Sequence, residues 1–289
     1  MNTRVIVFGL LCLAPLARAQ TTINPVNRHA YGANVGWLDW RTDDANGAVV
    51  GDYICLRYVY AANLGWVSLG SGVPANAARY QNNAATNFGV NHDGLGNLRG
   101  YAYSATVGWI NFEDLGAPKV DLLTGRLSGF IYGANVGWIS LSNAVAYVQT
   151  DAIAPGTDTD GDGIADAFEF QFTGNLTTMN STSDLDRDGF TDSEEYLAGT
   201  DPTDPSDTLK IVQFITSGRG TNVTVTWSSK PTRQYYIEQR NGFDPGTVWL
   251  DSGLGLLLPG GATTSRVLTA ETNLFQDYFR IKAVRPLSQ

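Results

Sequence analysis

The sequence predicts a mainly β protein with a duplicated β-hairpin region, a short loop connector with small helices, and a C-terminal β-sandwich. Three observations support this: a Tyr-to-Trp heptapeptide that occurs four times, an Asp-rich segment with two equally spaced loops, and short alternating strands after residue 207. The 289 residues include 32 Gly and only 16% charged residues, a composition typical of short-stranded β proteins. We expect boundaries at 1–19, 24–150, 151–207 and 208–289.

Residues 1–19 have the features of a cleaved secretory signal peptide. Arg4 precedes an apolar run at 5–16 that is too short to span a bilayer, and ARA at 17–19 is a small-x-small cleavage signal. No later segment reaches 18 consecutive apolar residues, so we predict no membrane span and a secreted or cell-surface location. Cleavage leaves Cys55 as the single cysteine, which we expect to be a buried apolar filler.

The heptapeptide YGANVGW occurs at 31–37 and at 132–138, and the looser copies YAANLGW and YSATVGW occur at 60–66 and 103–109. The four Trp residues are spaced by 29, 43 and 29 positions, which indicates a duplicated unit of 72 residues. Each copy predicts a hairpin with a tight turn. We expect positive φ at the turn residues Asn34, Asn63 and Asn135.

Alternation along the second strand of each hairpin predicts which side chains face the core. Ile139 and Leu141 share one face, whereas Trp138 and Ser140 share the other. Two roles remain open for the Trp residues. Each Trp either folds over the turn and closes the core edge, so that its truncation costs roughly 3–5 kcal/mol, or contacts a cell-surface glycan or protein. The candidate ligand-binding residues are Trp37, Trp66, Trp109 and Trp138.

The heptapeptides also resemble the Gly-Trp repeat segments of exported bacterial proteins. The resemblance covers about 120 residues and rests on the pattern YxAxxGWIxL. It implies a secreted or surface protein and carries no known activity.

The acidity of the chain is concentrated in residues 151–207, where 12 Asp and 3 Glu against one Arg give a charge of −14. This charge repels phosphates and argues against a nucleic-acid partner. Within the segment, DTDGDGIADAFE (158–169) and DLDRDGFTDSEE (184–195) both have Asp at positions 1, 3, 5 and 9, Gly at 6 and Glu at 12. The alternative, a solvated acidic linker, gives no reason for these fixed offsets to occur twice.

This spacing suits calcium, a hard cation that takes six to eight oxygen ligands from a tightly turning loop. Position 7 is expected to offer a backbone carbonyl while its side chain turns into a small core. The predicted Ca²⁺ ligands are Asp158, Asp160, Asp162, Ile164, Asp166 and Glu169 in the first loop, and Asp184, Asp186, Asp188, Phe190, Asp192 and Glu195 in the second.

The two loops and the tail GTDPTDPSD (199–207) resemble bacterial thrombospondin type 3 calcium repeats. The resemblance covers about 50 residues. It implies a calcium-dependent module that joins domains in exported proteins and has no catalytic activity. Arg187 stands where such loops often have Gly or Asn, which lowers the local negative charge of the second loop.

After residue 207, strands are predicted at 223–229, 234–240, 247–252 and 278–284, separated by turns rich in Gly, Pro, Asn and Asp. Short alternating strands at this spacing favour a β-sandwich. Their order resembles the fibronectin type III-like modules at the C-termini of exported bacterial proteins, which implies a spacer or an adhesive end.

No motif of nucleophilic, zinc-dependent or phosphate-binding catalysis is found in the sequence. We therefore expect an exported, non-catalytic, calcium-binding structural or adhesive protein. The alternative is a carbohydrate- or surface-binding protein that uses its N-terminal Trp residues. A glycan-active enzyme is a more distant alternative, because sequence alone does not place two carboxylates across a cleft.

Overall fold

The computed structural model of the protein describes residues 20–217, 222–240, 242, 246–269 and 278–288. The predicted signal peptide, residues 1–19, lies outside the described residues. Within them the predicted fold class is confirmed, because strands dominate and both α-helices are short. No helix in these ranges combines the length and the apolar composition that crossing a membrane requires.

The N-terminal region is built from short strands joined by tight turns and by one 3-10 helix at Asp114–Gly116. The strands are β1 Ile23–Gly32, β2 Gly36–Asp39, β3 Val49–Val50, β4 Cys55–Leu56, β5 Tyr58–Ala61, β6 Gly65–Ser68, β7 Val90–His92, β8 Leu98–Ser104, β9 Gly108–Asn111, β10 Lys119–Val120, β11 Leu127–Ser128, β12 Phe130–Gly133, β13 Gly137–Ser140 and β14 Val148–Thr150.

Eight of these strands form a closed antiparallel sheet of four hairpins. The hairpins are β1–β2, β5–β6, β8–β9 and β12–β13. Neighbouring hairpins pair through β2–β5, β6–β8 and β9–β12, and β13 pairs with β1 to close the ring. Each hairpin has one heptapeptide at its tip. The four copies therefore occupy equivalent hairpin turns of one sheet.

The interior of the closed sheet is filled by aliphatic residues from both strands of each hairpin, and the alternation predicted those of the second strand. The residue after each Trp points inward and is buried, as is the middle residue of the preceding strand. These eight residues are Leu38, Val67, Ile110 and Ile139, and Ala30, Val59, Ala102 and Ile131. The predicted inward face of the second strand is confirmed.

A ring of four side-chain hydrogen bonds ties the hairpin tips together. The fourth residue of each heptapeptide donates to the backbone carbonyl of the fifth residue in the neighbouring heptapeptide. The bonds run from Asn34 Nδ2 to Val136 O (3.0 Å), Asn63 Nδ2 to Val35 O (3.2 Å), Thr106 Oγ1 to Leu64 O (2.9 Å) and Asn135 Nδ2 to Val107 O (3.0 Å). The four acceptor residues carry the apolar side chains that close the end of the core.

The prediction of positive φ at the turn Asn residues is wrong. The positive φ belongs to the sixth residue of each copy, always a glycine, with φ between 70° and 80°. In the first copy, the amide of Val35 bonds the carbonyl of Gly32 at 3.2 Å, and Gly36 then takes the left-handed conformation. This is the usual turn for a three-residue hairpin loop. Asn34 is instead needed for its amide group.

The four Trp side chains lie on the outer face of the closed sheet, with 44–47% of each exposed. Each ring packs against the Tyr directly opposite on the neighbouring strand, with centroids 4.9–5.1 Å apart. The expectation that these Trp residues close the core edge is therefore wrong. Val35 and its three equivalents do so, because the loop folds them back over the strand ends.

The C-terminal region contains the strands β15 Ile211–Ser217, β16 Asn222–Ser228, β17 Gln234–Arg240, β18 Leu250–Asp251, β19 Thr263–Thr269 and β20 Tyr278–Val284. They form two three-stranded antiparallel sheets, β15–β16–β19 and β18–β17–β20. Trp227 and Tyr235, one from each sheet, meet at a centroid distance of 5.8 Å in a small shared core. Strands are present at three of the four predicted positions, whereas the prediction at 247–252 is correct only for the two residues of β18. Two further strands, β15 and β19, were not predicted. Every side chain of β15 is exposed, and on β19 the buried Thr264 and Leu268 alternate with more exposed residues.

The outward position of Trp138 changes the expected cost of its truncation. Trp138→Ala should lower the free energy of unfolding by about 1 kcal/mol, the value of a half-exposed cross-strand aromatic pair. Ile139→Ala, one residue further on, should cost about 2–5 kcal/mol because Ile139 is fully buried. Urea unfolding in saturating calcium, followed by far-UV circular dichroism, compares the two. Equal losses would contradict the assignment of faces.

Candidate metal centre

Each acidic loop is closed by its first aspartate, whose two oxygens accept backbone hydrogen bonds from across the turn. Asp158 accepts from Gly161 N at 2.8 Å and from Gly163 N at 3.0 Å. Asp184 does the same in the second loop, from Arg187 N at 2.7 Å and Gly189 N at 3.1 Å. The glycine at position 6 has φ of 95° in the first loop and 98° in the second, as the sharp turn requires.

The turns bring three aspartates together in each loop. Ligand oxygens of Asp158, Asp160 and Asp162 lie within 4.8 Å of one another, and so do those of the second triad. The second triad is Asp184, Asp186 and Asp188. Either group can bind a metal ion, because several carboxylate oxygens reach one point.

A helix after each loop places a buried glutamate beside each triad. Helix α1 covers Asp166–Phe172 and contains Glu169, and helix α2 covers Asp192–Ala198 and contains Glu195. Glu169 is completely buried, and neither of its carboxylate oxygens has a hydrogen-bond partner. Burial, together with the negative charges of the nearby aspartates, raises the pKa of Glu169 to about 7.

The second glutamate differs from the first in one bond. The hydroxyl of Thr200 donates to Glu195 Oε1 at 3.1 Å, whereas Oε2 is buried and has no partner. Burial raises the pKa of Glu195 to about 7 as well. The second site therefore offers one glutamate oxygen that is not engaged by the protein, and the first site offers two.

Further carboxylate oxygens of the triads are buried without a partner. They are Asp162 Oδ2, Asp186 Oδ2 and Asp188 Oδ2. Each buried acceptor without a partner costs about 1–3 kcal/mol, and more when it is charged. A divalent cation that takes oxygen ligands would satisfy these atoms together with the glutamates, so the residues present fit calcium.

The aspartate at position 9 of each loop, Asp166 or Asp192, accepts hydrogen bonds from residues at or next to the start of the loop. Both oxygens of Asp166 accept from Thr159, one from its N–H at 2.7 Å and one from its hydroxyl at 2.6 Å. Asp192 accepts from Leu185 N at 3.0 Å and from Ser183 Oγ at 2.5 Å. These bonds tie the start of each loop to the following helix. The sequence pattern did not distinguish this role from that of a ligand.

The two residues at position 7 have different environments. Ile164 is fully buried and packs with Phe168, Met179 and Tyr196, as predicted. For Phe190 the prediction is wrong, because its side chain is 41% exposed. It lines a groove of about 260 Å³ between α2 and β20. The small core between the two loops contains the side chain of Ile164 but not that of Phe190.

The single cysteine of the predicted mature chain, Cys55, is buried, and burial raises the pKa of its thiol to about 12. A thiol with this pKa is not an active nucleophile at neutral pH. The prediction of a buried filler is confirmed.

Helix α2 is bonded to both β regions through two arginines. Arg233 donates from Nη2 to the carbonyl of Tyr196 at 2.6 Å and from Nε to the carbonyl of Leu197 at 2.8 Å. Arg285 donates from Nη1 to the hydroxyl of Tyr196 at 2.9 Å and to Oδ2 of Asp52 at 3.0 Å. Asp52 belongs to the N-terminal region and both arginines to the C-terminal one. The three regions therefore meet at Tyr196.

The two β regions also contact each other directly. Gln234 Nε2 donates to the carbonyl of Leu122 at 2.9 Å. In the acidic segment, Ile153 N donates at 3.3 Å to the carbonyl of Leu287 in the C-terminal region. The side chain of Leu287 packs against the N-terminal core. The acidic segment is thus enclosed by contacts on both sides and is not an extended spacer.

Two loops with aspartate triads and a closing glutamate define a class of metal-binding structural repeat. Residues 158–171 and 184–205 match the family model described as the bacterial TSP3 repeat. The predicted resemblance of these loops is thereby confirmed, and the repeat is a non-catalytic calcium-binding structural unit. Neither a curated protein nor a solved structure matches the chain. The Gly-Trp and fibronectin-like resemblances stay predictions.

Arg187 is expected to weaken the second site. It has φ of 65°, a left-handed conformation that costs a non-glycine residue about 1 kcal/mol, whereas the first loop has Gly161 there. Arg187→Gly should therefore strengthen calcium binding at the second site by about fivefold. The reciprocal change, Gly161→Arg, should weaken the first site by a similar factor. Calorimetric titration measures both, and unchanged affinity in the two variants would contradict the asymmetry.

Proposed function

We propose that this protein is an exported, non-catalytic, calcium-binding structural protein whose two TSP3 loops hold two β regions together. The single observation that carries the proposal is the buried carboxylate of Glu169, which has no hydrogen-bond partner and lies beside an aspartate triad. Calcium would bind this carboxylate with Asp158, Asp160 and Asp162. The equivalent ligands of the second site are Asp184, Asp186, Asp188 and Glu195, and the position-7 carbonyls of Ile164 and Phe190 complete the two sets.

Folding of the acidic segment is coupled to the metal. The apolar core of this segment is small, and its negative charges repel one another when no cation is present. Calcium removes this repulsion and satisfies the buried oxygens. At a concentration 100 times its dissociation constant, one site adds about 2.7 kcal/mol to the stability of the part that binds.

The contacts of Tyr196 extend the effect of calcium to the rest of the molecule. Its carbonyl and hydroxyl bond to Arg233 and Arg285, which belong to the C-terminal region. Tyr196 directly follows Glu195 on α2. Loss of the second ion would therefore displace Tyr196, whose carbonyl and hydroxyl accept hydrogen bonds from both arginines. On this proposal the parts at 24–150 and 208–289 are the β domains, and 151–207 joins them.

Export and a surface or adhesive role complete the proposal. The apolar run at 5–16 with its cleavage signal supports export, and TSP3 repeats are typically extracellular. The half-exposed aromatic residues of the closed sheet support a role at a surface, since exposed apolar patches mark sites of interaction. The partner in such adhesion would be a glycan or a protein.

Removal of calcium should open the junction between the β regions. Chelation should expose 151–207 to protease and enlarge the radius of gyration, while the strands of both β regions keep their circular dichroism signal. Asp162→Ala combined with Asp188→Ala should reproduce the chelated state in millimolar calcium. Limited proteolysis, small-angle X-ray scattering and calorimetric titration measure these changes.

A matched control removes the same two charges elsewhere. Asp43 and Asp251 are exposed, lie outside 151–207 and accept hydrogen bonds from residues of their own turns. Asp43→Ala combined with Asp251→Ala should behave like the unmodified protein. If millimolar calcium gives neither heat nor protection to the unmodified protein, the assignment of the loops is wrong.

Export has a separate test. Protein recovered from the medium or surface of an exporting cell should begin at Gln20, because cleavage is predicted after Ala19. N-terminal sequencing of the exported fraction measures this. An intact Met1 in that fraction would contradict the signal peptide, and a variant with Ala19→Arg should accumulate uncleaved.

A further inference from the structure

One of the four outward Trp residues lies in a groove. Residues 82–88 rise beside β8 and β9 and form a wall next to Trp109. The groove between this wall and the sheet has a volume of about 400 Å³, within the range of small-ligand sites. Its lining includes Asn82, Asn83, Phe88 and Tyr101, together with Trp109 itself.

The ring of Trp109 is held in position before any ligand arrives. Phe88 contacts it edge-on, with centroids 5.1 Å apart and planes at 81°, and Tyr103 and Tyr101 contact it at 4.9 and 6.3 Å. Despite these three neighbours, Trp109 is 46% exposed, the same as Trp66 with 47%. A fixed and exposed aromatic ring loses little conformational entropy when a ligand stacks on it.

The wall is held by its own hydrogen bonds. Asn82 donates from its N–H to Asn87 O at 3.0 Å, and its Oδ1 accepts from Gly89 N at 3.0 Å. Asn87 N donates to the carbonyl of Ala84 at 3.0 Å, which closes the turn at the top. The shape of the groove is therefore set by the protein.

The chemistry of the lining selects a neutral ligand with both apolar and hydrogen-bonding surfaces. No lining residue carries a charge at neutral pH. The exposed side-chain amide of Asn83 donates to Gln81 Oε1 at 3.1 Å, and no group in the part of the chain that the structure describes donates to the side-chain oxygen of Asn83. An indole ring beside a carboxamide matches a sugar ring, whose C–H face packs on π electrons and whose hydroxyls bond to amides.

We propose that the groove at Trp109 binds a neutral pyranose unit of a polysaccharide, stacked on the indole ring and hydrogen-bonded to Asn83. An apolar side chain of a protein partner fits less well, since such anchors need a pocket that removes them from water. The groove is open, and its wall is formed by alanine and asparagine residues. No residue of 151–207 contributes to it, so the proposal is independent of the calcium function.

The test uses the full-length mature protein in saturating calcium and three soluble neutral glucans: hydroxyethylcellulose, laminarin and dextran. Affinity electrophoresis and quenching of Trp fluorescence measure binding, and carboxymethylcellulose serves as the charged comparison. At least one neutral glucan should bind. Trp109→Ala should weaken that binding about tenfold or more, as truncation of an aromatic anchor does. Trp66→Ala, at the equivalent position without a wall, should leave it unchanged.

A second variant tests the groove in a way that does not depend on whether Trp109→Ala folds correctly. Ala85→Arg places a bulky charged side chain on the exposed wall without altering the sheet, and it should abolish binding while the thermal midpoint stays the same. The proposal is overturned if no neutral glucan binds, or if Trp66→Ala and Trp109→Ala lose binding equally. Binding of an anilinonaphthalene dye at Trp109 without binding of any glucan would also overturn it, in favour of an apolar protein partner.

Discussion

The centre of the molecule depends on two buried carboxylates, those of Glu169 and Glu195. Glu169 and Glu195 are held under their aspartate triads by short helices, and their pKa values are raised to about 7 by burial. A folded protein tolerates such groups only when a cation or a proton neutralises them. Helices of seven residues are too short to be stable alone, so they depend on the small core around Ile164.

The arrangement of the three regions follows from that requirement. Helix α2 places Glu195 beside an aspartate triad on one side and Tyr196 against Arg233 and Arg285 on the other. The N–H donors of a buried arginine need hydrogen-bond acceptors. Backbone carbonyls accept from Arg233, and the Tyr196 hydroxyl and Asp52 accept from Arg285. The acidic segment therefore lies between the two β regions and contacts both of them.

The N-terminal region solves a different problem, that of closing a sheet made of very short strands. The eight strands, six of them four residues long, leave no exposed edge when the last hairpin pairs with the first. The amide-to-carbonyl ring at the tips then links every hairpin to the next, and Val35 and its equivalents seal the end. Because these residues close the end of the core, the Trp side chains are not needed there and lie on the outer face. One of them, Trp109, lies in a groove.

The sequence by itself determined features that depend on residues close together in the chain. Twelve-residue spacing placed the aspartate triads and glutamates, and alternation placed Ile139 inside and Trp138 outside. Tertiary structure decided the rest, because the deciding contacts join distant residues. Asn34 reaches Val136, 102 positions away, which no turn rule reveals. Ile164 is buried and Phe190 exposed at the same loop position, since only packing between the loops and against β20 distinguishes them.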